Sequence, residues 1–220
     1  MLRRAGRGMR RPRLHPSATP VARRCLGSTK DVNYNVSTSP DVSFETVSRA
    51  HMRLRKGEGV KTTQMVAAPK LSELFGMKIH MKREYEQVTG SFKERGARNA
   101  LLRLQDAGAV GDGVICASAG NHALALAYHA QQLGIKCTAV MPSAAPLTKV
   151  NNCRSYGAEV LLHGEHIGAA RERADAIVAS GEAGQLTYIN GFDDADIISG
   201  AGTMGIEVRT MLLLSLLLLC

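Results

Sequence analysis

A lysine at the start of a predicted helix is the first candidate for chemistry in this 220-residue chain. The spacing of Ser91 and Glu94 predicts a capping box, in which each side chain accepts a hydrogen bond from the other residue's backbone N–H. Lys93 is then the second residue of the helix. Unpaired N–H groups at a helix start carry partial positive charge, which favours a neutral amine over an ammonium. Because a neutral amine attacks aldehyde carbons, the pattern predicts a residue that forms an imine.

Taken alone, a lysine in a first helical turn is most often a solvated surface residue, but a second segment changes that expectation. The apolar run Gly113 to Cys116 predicts a buried strand, and the run Leu124 to Leu133 predicts a helix. Residues 118–122 then form the turn between them. Such turns present backbone N–H groups to an anion, and Gly120 lets a ligand approach the main chain. The turn suits a carboxylate or a phosphate.

The elements that must position these two segments alternate between strand and helix. Alternation of this kind indicates an α/β fold with parallel or mixed sheets flanked by helices. We predict strands over residues 78–82, 113–117, 136–141, 159–162 and 186–189. We predict helices over residues 44–54, 92–105, 122–133, 147–156 and 167–179.

At these motifs the chain resembles the threonine dehydratase and serine racemase group of pyridoxal-phosphate enzymes. That group has the tryptophan-synthase-β-like fold, or fold type II. The resemblance runs from about residue 63 to residue 207 through many short matches in the family's order. They are Leu71-Ser72-Glu73-Leu74, Lys82-Arg83-Glu84, the Ser91 and Ser118 motifs, Val140-Met141-Pro142, Lys149-Val150, residues 157–164, Phe192-Asp193-Asp194, and Gly202-Thr203 with Glu207. The resemblance implies a large domain that begins in residues 31–110 and resumes in residues 191–209, around a small α/β domain at residues 111–190.

The resemblance also implies roles for the site residues. Lys93 would hold pyridoxal phosphate as an imine and later take the α-proton of the substrate. Asn121 would hydrogen-bond the pyridine 3′-oxygen, and Phe92 would pack beside the ring. The substrate carboxylate would bind to Ser118, Ala119, Gly120, Asn121 and His122. The implied reaction is dehydration and deamination of L-threonine, and of L-serine, to a 2-oxo acid and ammonia.

Two other activities of the same group stay open. Serine racemases of the group usually have a second serine where this chain has Ala119, and that serine protonates Cα. Since alanine cannot donate a proton, we expect dehydration in preference to racemisation. Threonine synthase has a closely similar lysine motif and stays a lesser alternative.

The last residues depart from the family. Residues 210–220 form a leucine-rich tail, and the family's glycine-rich phosphate loop and later serine or cysteine do not occur in this chain. We therefore expect an incomplete large domain and an activity impaired by truncation, and a non-catalytic truncated product is a further alternative. The tail is about half as long as the roughly 20 apolar residues of a membrane-spanning helix, so we expect no membrane partner. We expect a homo-oligomer if the full-length protein continues into the rest of the large domain.

The positive charge of the chain lies at its amino-terminal end. Residues 1–30 hold eight arginines, one lysine and no acidic residue, which equals the net charge of +9 for the whole chain. This composition is typical of an organellar presequence, and we predict a mitochondrial one in preference to a plastid one because arginine outweighs serine. A basic arm that binds RNA or anionic lipid is the alternative, but no aromatic residues for base stacking are interleaved. We expect no nucleic-acid partner.

Several other patterns indicate no additional site. The five cysteines are odd in number and form no Cys-x-x-Cys pair, which indicates neither a disulfide framework nor a zinc site. Gly200 to Gly205 fits the dinucleotide pattern G-x-G-x-x-G, but no predicted strand precedes it. His163 and His166 share a loop that lacks a third ligand at an informative spacing. We expect no metal, and the expected partner is a small amino-acid substrate.

Overall fold

Strands and helices alternate through the computed structural model of this chain, which describes residues 42–57 and 59–217, and side chains up to residue 213. The predicted presequence at residues 1–30 lies outside the described residues. The helices are α1 (Phe44–Arg55), α2 (Pro69–Phe75), α3 (Lys93–Asp106), α4 (Asn121–Gln132), α5 (Leu147–Ser155), α6 (Ile167–Ser180) and α7 (Ala195–Leu217). The strands are β1 (Met65–Ala67), β2 (His80–Lys82), β3 (Gly113–Ala117), β4 (Cys137–Met141), β5 (Glu159–Leu162) and β6 (Leu186–Tyr188), and a 3₁₀ turn spans Glu84–Glu86.

Four strands form a parallel sheet in the order β5-β4-β3-β6. The central strands β3 and β4 are buried along their whole length, as expected for apolar runs inside a parallel sheet. Apolar residues of α3, α4 and α5 pack on one face of this sheet. Ala170, Ala174 and Ile177 of α6 pack against Ile115 and Val140 on the other face. The predicted α/β class with helices flanking a parallel sheet is confirmed.

The elements around this sheet were predicted to within two residues, and three others were missed. The strand predicted over residues 78–82 is limited to β2, which pairs with β1 in a two-stranded antiparallel sheet. Sequence reasoning missed β1, α2 and α7. The glycines at positions 200, 202 and 205 obscured α7, because glycine is among the poorest helix formers.

Gly200 and Gly202 instead let α7 approach its neighbours closely. A Cβ atom built on Gly200 would lie 2.4 Å from the backbone oxygen of Arg95 in α3. One built on Gly202 would lie 2.9 Å from a methyl carbon of Val47 in α1. The G-x-G-x-x-G pattern is therefore a helix-packing feature inside α7. Among the described residues no helix combines the length and the apolar character needed to cross a membrane.

Alanine substitutions at two α7 glycines are expected to change stability in opposite directions. Gly200→Ala places a methyl group against backbone atoms, and we expect a loss of about 1–3 kcal/mol in the free energy of unfolding. Gly205 is exposed, and a Cβ built there meets no atom within 4 Å, so Gly205→Ala should gain about 0.5–1 kcal/mol. Urea unfolding measures both values. Equal effects of the two substitutions would contradict close packing at Gly200.

Candidate active site

A cavity of about 280 Å³ lies where α3 begins, beside the turn between β3 and α4. Its lining residues are Phe92, Lys93, Ser118, Asn121, His122, Gly191 and Phe192. Five of the predicted site residues are thus brought together. Ala119 and Gly120 are not among the lining residues: the Ala119 side chain packs against the apolar core, and Gly120 is the residue before the first turn of α4.

The start of α3 differs in detail from the predicted capping box. Lys93 is the first residue of α3, and the Ser91 hydroxyl accepts a hydrogen bond from the Lys93 N–H at 3.3 Å. The Glu94 carboxylate does not return to Ser91 and accepts instead from the N–H of Thr89. The reciprocal box is therefore wrong, because the Glu94 side chain is completely buried and faces the interior.

Glu94 faces His129 of α4. One Glu94 carboxylate oxygen lies 3.3 Å from His129 Nε2, and both side chains are 0% exposed. Burial lowers the pKa of His129, and the neighbouring carboxylate opposes that shift only in part. The pair links the helix that begins at Lys93 to the helix that begins at Asn121.

The Lys93 amine lies near two aromatic rings. Its Nζ donates a hydrogen bond to the Gly191 carbonyl oxygen at 2.5 Å. The Phe92 and Phe192 ring centres lie 5.5 and 5.6 Å from the same nitrogen. Burial lowers the pKa of Lys93, since the charged form loses hydration there. The direction agrees with the prediction, but the physical cause is desolvation in place of the helix start.

The turn from Ser118 to His122 has the features of an anion site. It follows β3, and the Gly120 N–H donates to the Ser118 hydroxyl at 3.2 Å. The backbone of Gly120 is extended, and no side chain caps the first turn of α4. The first N–H groups of any helix lack intrahelical partners, so this helix start can donate to a carboxylate.

His122 is buried and neutral. Its Nε2 lies 3.3 Å from the Ile189 carbonyl oxygen, which can only accept, so Nε2 carries the proton. Burial lowers the pKa of His122 to about 4. Gly191 packs against the imidazole ring, and a Cβ built on it would lie 2.4 Å from His122 Cγ. Position 191 therefore requires glycine.

The His122 burial predicts a pH dependence of stability. The unfolded chain protonates this histidine near pH 6.5, whereas the folded chain does so near pH 4. Between these values the unfolded state binds more protons, so stability is full above pH 6.5 and falls as the pH drops towards 4. We expect His122 to contribute a loss of about 3 kcal/mol across this window, and His122→Asn removes this contribution. Urea unfolding at pH 7 and pH 4.5 measures the free energy of unfolding of the wild type and of His122→Asn. An equal loss in both proteins between the two pH values would contradict the assignment.

A buried ion network supports the first turn of α3. The Arg95 guanidinium donates to Glu84 at 2.8 Å and to Glu207 at 2.7 Å, and its side chain is 1% exposed. Lys82 Nζ donates to Glu207 at 2.6 Å. Burial alone would raise the pKa of Glu84, but hydrogen bonds from Arg95 and Thr63 outweigh it and lower the pKa. The network ties α3 to β2, to the 3₁₀ turn and to α7.

Sequence reasoning missed two features of the site. Gly191 and Phe192 come from the loop after β6, and the sequence indicates Phe192 only through the resemblance to the family. The ion network was missed because its partners are up to 125 residues apart. Charged residues inside otherwise apolar stretches, such as Glu207, were the available signal.

The described residues contain no group of three or more His, Cys, Asp or Glu side chains that could hold a metal ion. His166 instead caps α6, since its Nδ1 accepts a hydrogen bond from the Ala169 N–H at 3.2 Å. Its neighbour in the motif, His163, lies in the exposed loop after β5. These histidines have no visible connection to the Lys93 cavity.

Comparison with known proteins gives a consistent result for this fold. A family model described as "Pyridoxal-phosphate dependent enzyme" matches residues 57–214. The L-threonine ammonia-lyase of Geobacter sulfurreducens is 41% identical over 165 residues, which cover 75% of this chain and 40% of that protein. The chain therefore spans about 40% of the length of this relative.

Two solved structures share the fold. The processed form of threonine deaminase isoform 2 from Solanum lycopersicum has a TM-score of 0.66 and 31% identity, covering 79% of this chain and 47% of the other. The serine racemase of Dictyostelium discoideum has a TM-score of 0.67 and 31% identity, covering 77% of this chain and 53% of the other. The expected tryptophan-synthase-β-like architecture is thereby confirmed for the part of the chain that aligns.

Proposed function

Because this chain belongs to the family of pyridoxal-phosphate-dependent enzymes, we propose that the Lys93 cavity binds pyridoxal phosphate and deaminates L-threonine, with L-serine as a poorer substrate. The products are a 2-oxo acid and ammonia. The single observation that supports this proposal best is the placement of Lys93. Its half-buried amine, with a lowered pKa, shares one cavity with Asn121 and with the start of α4.

The residues of the cavity fit the ring and aldehyde end of such a cofactor. Lys93 supplies the amine that reacts with an aldehyde carbon, and burial favours its reactive neutral form. Asn121 supplies an amide at the same cavity, and Phe92 supplies an aromatic wall. Ser118 and the uncapped first turn of α4 supply donors for a carboxylate. The donor set therefore matches an aromatic aldehyde and an amino acid held side by side.

The division of labour follows from these positions. When bound, pyridoxal phosphate withdraws electron density from the substrate Cα, which weakens the Cα–H bond. Lys93 Nζ would hold the cofactor and, once the amine of the substrate has displaced it, would be the free amine placed to accept the α-proton. The α4 start orients the substrate carboxylate, and Asn121 holds the ring oxygen. His122 stays neutral near pH 7, so it adds no charge to the partial positive charge at the start of α4.

Deamination is preferred to racemisation because of Ala119. A racemase of this type needs a proton donor on the face of Cα opposite the lysine, and a methyl group cannot serve. The Ala119 side chain also packs against the apolar core. The relative from Geobacter sulfurreducens is named an L-threonine ammonia-lyase, which supports the same substrate class.

The organisation of the chain is part of the proposal. We assign residues 31–110 and 191–209 to a large domain, residues 111–190 to a small domain, and residues 210–220 to a leucine-rich tail. Residues 1–30 act as a mitochondrial presequence, because they are rich in arginine and contain no acidic residue. If the full-length protein continues into the rest of the large domain, it forms a homo-oligomer.

The purified chain, mixed with pyridoxal phosphate and L-threonine, tests the proposal. We expect 2-oxo acid and ammonia in equal amounts, a slower reaction with L-serine, and little D-serine. Formation of D-serine as fast as 2-oxo acid would contradict the proposed deamination and would favour racemisation as the activity. Absence of both cofactor binding and product would refute the assignment of the cavity.

A further inference from the structure

A second lysine, Lys149, contacts the side-chain amide of Asn121. Lys149 Nζ lies 3.1 Å from Asn121 Oδ1 and donates a hydrogen bond to it. We propose that Lys149 is a positioning residue that fixes the Asn121 amide with its oxygen turned to Lys149 and its Nδ2 donor turned to the Lys93 cavity. The consequence for the cofactor rests on the proposed function, whereas the orientation of the amide does not.

The chemistry of lysine determines which way the amide faces. An ammonium has three donors and no acceptor, so only the oxygen of an amide can face it. Asn121 is the first residue of α4 and lines the cavity. With its oxygen bonded to Lys149, the polar atom that Asn121 presents to the cavity is Nδ2, a donor. A donor is what an ionised ring oxygen requires.

The position of Lys149 in its own helix does not explain the contact. Lys149 is the third residue of α5, whose first turn contains no acidic residue. A cation near a helix start is disfavoured by the partial positive charge of the unpaired N–H groups. The half-buried ammonium is therefore placed against the electrostatics of α5, and the Asn121 oxygen is its hydrogen-bond acceptor.

The same contact changes the strength of the donor. A cation at the oxygen draws electron density through the amide and makes its N–H groups better donors. The effect favours an anionic acceptor over a neutral one. Lys149 thus supports an ionised ring oxygen through Asn121, without entering the lining of the cavity itself.

The orientation is tested in the chain without cofactor. We would record the ¹⁵N–¹H signals of the Asn121 side-chain amide in the wild type, K149M, K149R and K136M. Lys136 is exposed on the same α/β unit and serves as the matched control. We expect K149M to move the amide signals upfield, and K149R and K136M to leave them near the wild-type positions. Signals that K149M moves no further than K136M does would overturn the proposal.

The coupling is tested by titrating pyridoxal phosphate into the same proteins and into N121A. We expect K149M to weaken the apparent Kd about tenfold in the wild type and to have no further effect in the N121A background. Equal weakening in both backgrounds would overturn the proposal, since Lys149 would then act independently of Asn121. If the wild type binds no cofactor while the K149M amide signals move, the proposed function fails and the orientation by Lys149 stands.

Discussion

Lys93→Ala is expected to abolish covalent attachment of pyridoxal phosphate to the chain. The amine at position 93 combines a lowered pKa with a place in the cavity that holds Asn121 and the α4 start. Alanine removes the nucleophile and leaves the walls of the cavity in place. After incubation with the cofactor and reduction with borohydride, peptide mass analysis should find the peptide that contains Lys93 modified in the wild type far above the background of the surface lysines. The variant should show only the background modification of surface lysines.

Lys78→Ala is the matched control for that experiment. Lys78 is an exposed lysine and is not among the residues that line the cavity. Its removal should leave the modification of Lys93 unchanged. Modification that persists at wild-type stoichiometry in Lys93→Ala would assign the cofactor to a different lysine and would refute the site.

Arg95→Met is expected to destabilise the fold by about 3–5 kcal/mol. The guanidinium is 1% exposed and bonds to two carboxylates, Glu84 and Glu207. Removing it leaves both carboxylates buried, with Lys82 as the remaining cation close to them. The loss is large because it reports uncompensated buried charge in addition to the missing bonds. Urea unfolding at pH 7 measures it.

Arg49→Met provides the comparison for Arg95→Met. Arg49 pairs with Glu45 on the surface of α1, where both side chains are about 70% exposed. Exposed pairs of this spacing contribute about 0.3–0.5 kcal/mol, so the expected loss is small. Similar losses for both variants would show that the Arg95 network is no more important than a surface pair.

The parallel sheet could be predicted because the sequence pattern that indicates each strand lies within the strand itself. β3 and β4 are short, uninterrupted apolar runs, and such runs between helical patterns indicate buried parallel strands. α7 was not predictable in the same way. Its glycines oppose helix formation locally, and the close approach of α3 and α1 explains why Gly200 and Gly202 occur there.

The residues of the site also divide into those that local sequence patterns predict and those that they do not. Lys93 and the turn at residues 118–122 lie at the ends of predictable elements, so sequence reasoning found them. The predicted capping box does not form because the Glu94 side chain is buried in the interior, where its carboxylate contacts His129. Lys93 donates a hydrogen bond to the carbonyl of Gly191, which lies 98 residues further along the chain. No local sequence pattern predicts this contact.

The ion network also has a consequence for the order of folding. Arg95 and Lys82 reach Glu207 across 112 and 125 residues, and each contact closes a long loop of chain. Closing such loops is entropically costly and slows folding, so these contacts are expected to form after the local helices and the β3–β4 pairing. Refolding chains should therefore regain their far-ultraviolet helical signal before Lys93 becomes reactive towards aldehydes. A ligand that binds only after α7 has docked would then stabilise the last stage of assembly and leave the early steps unchanged.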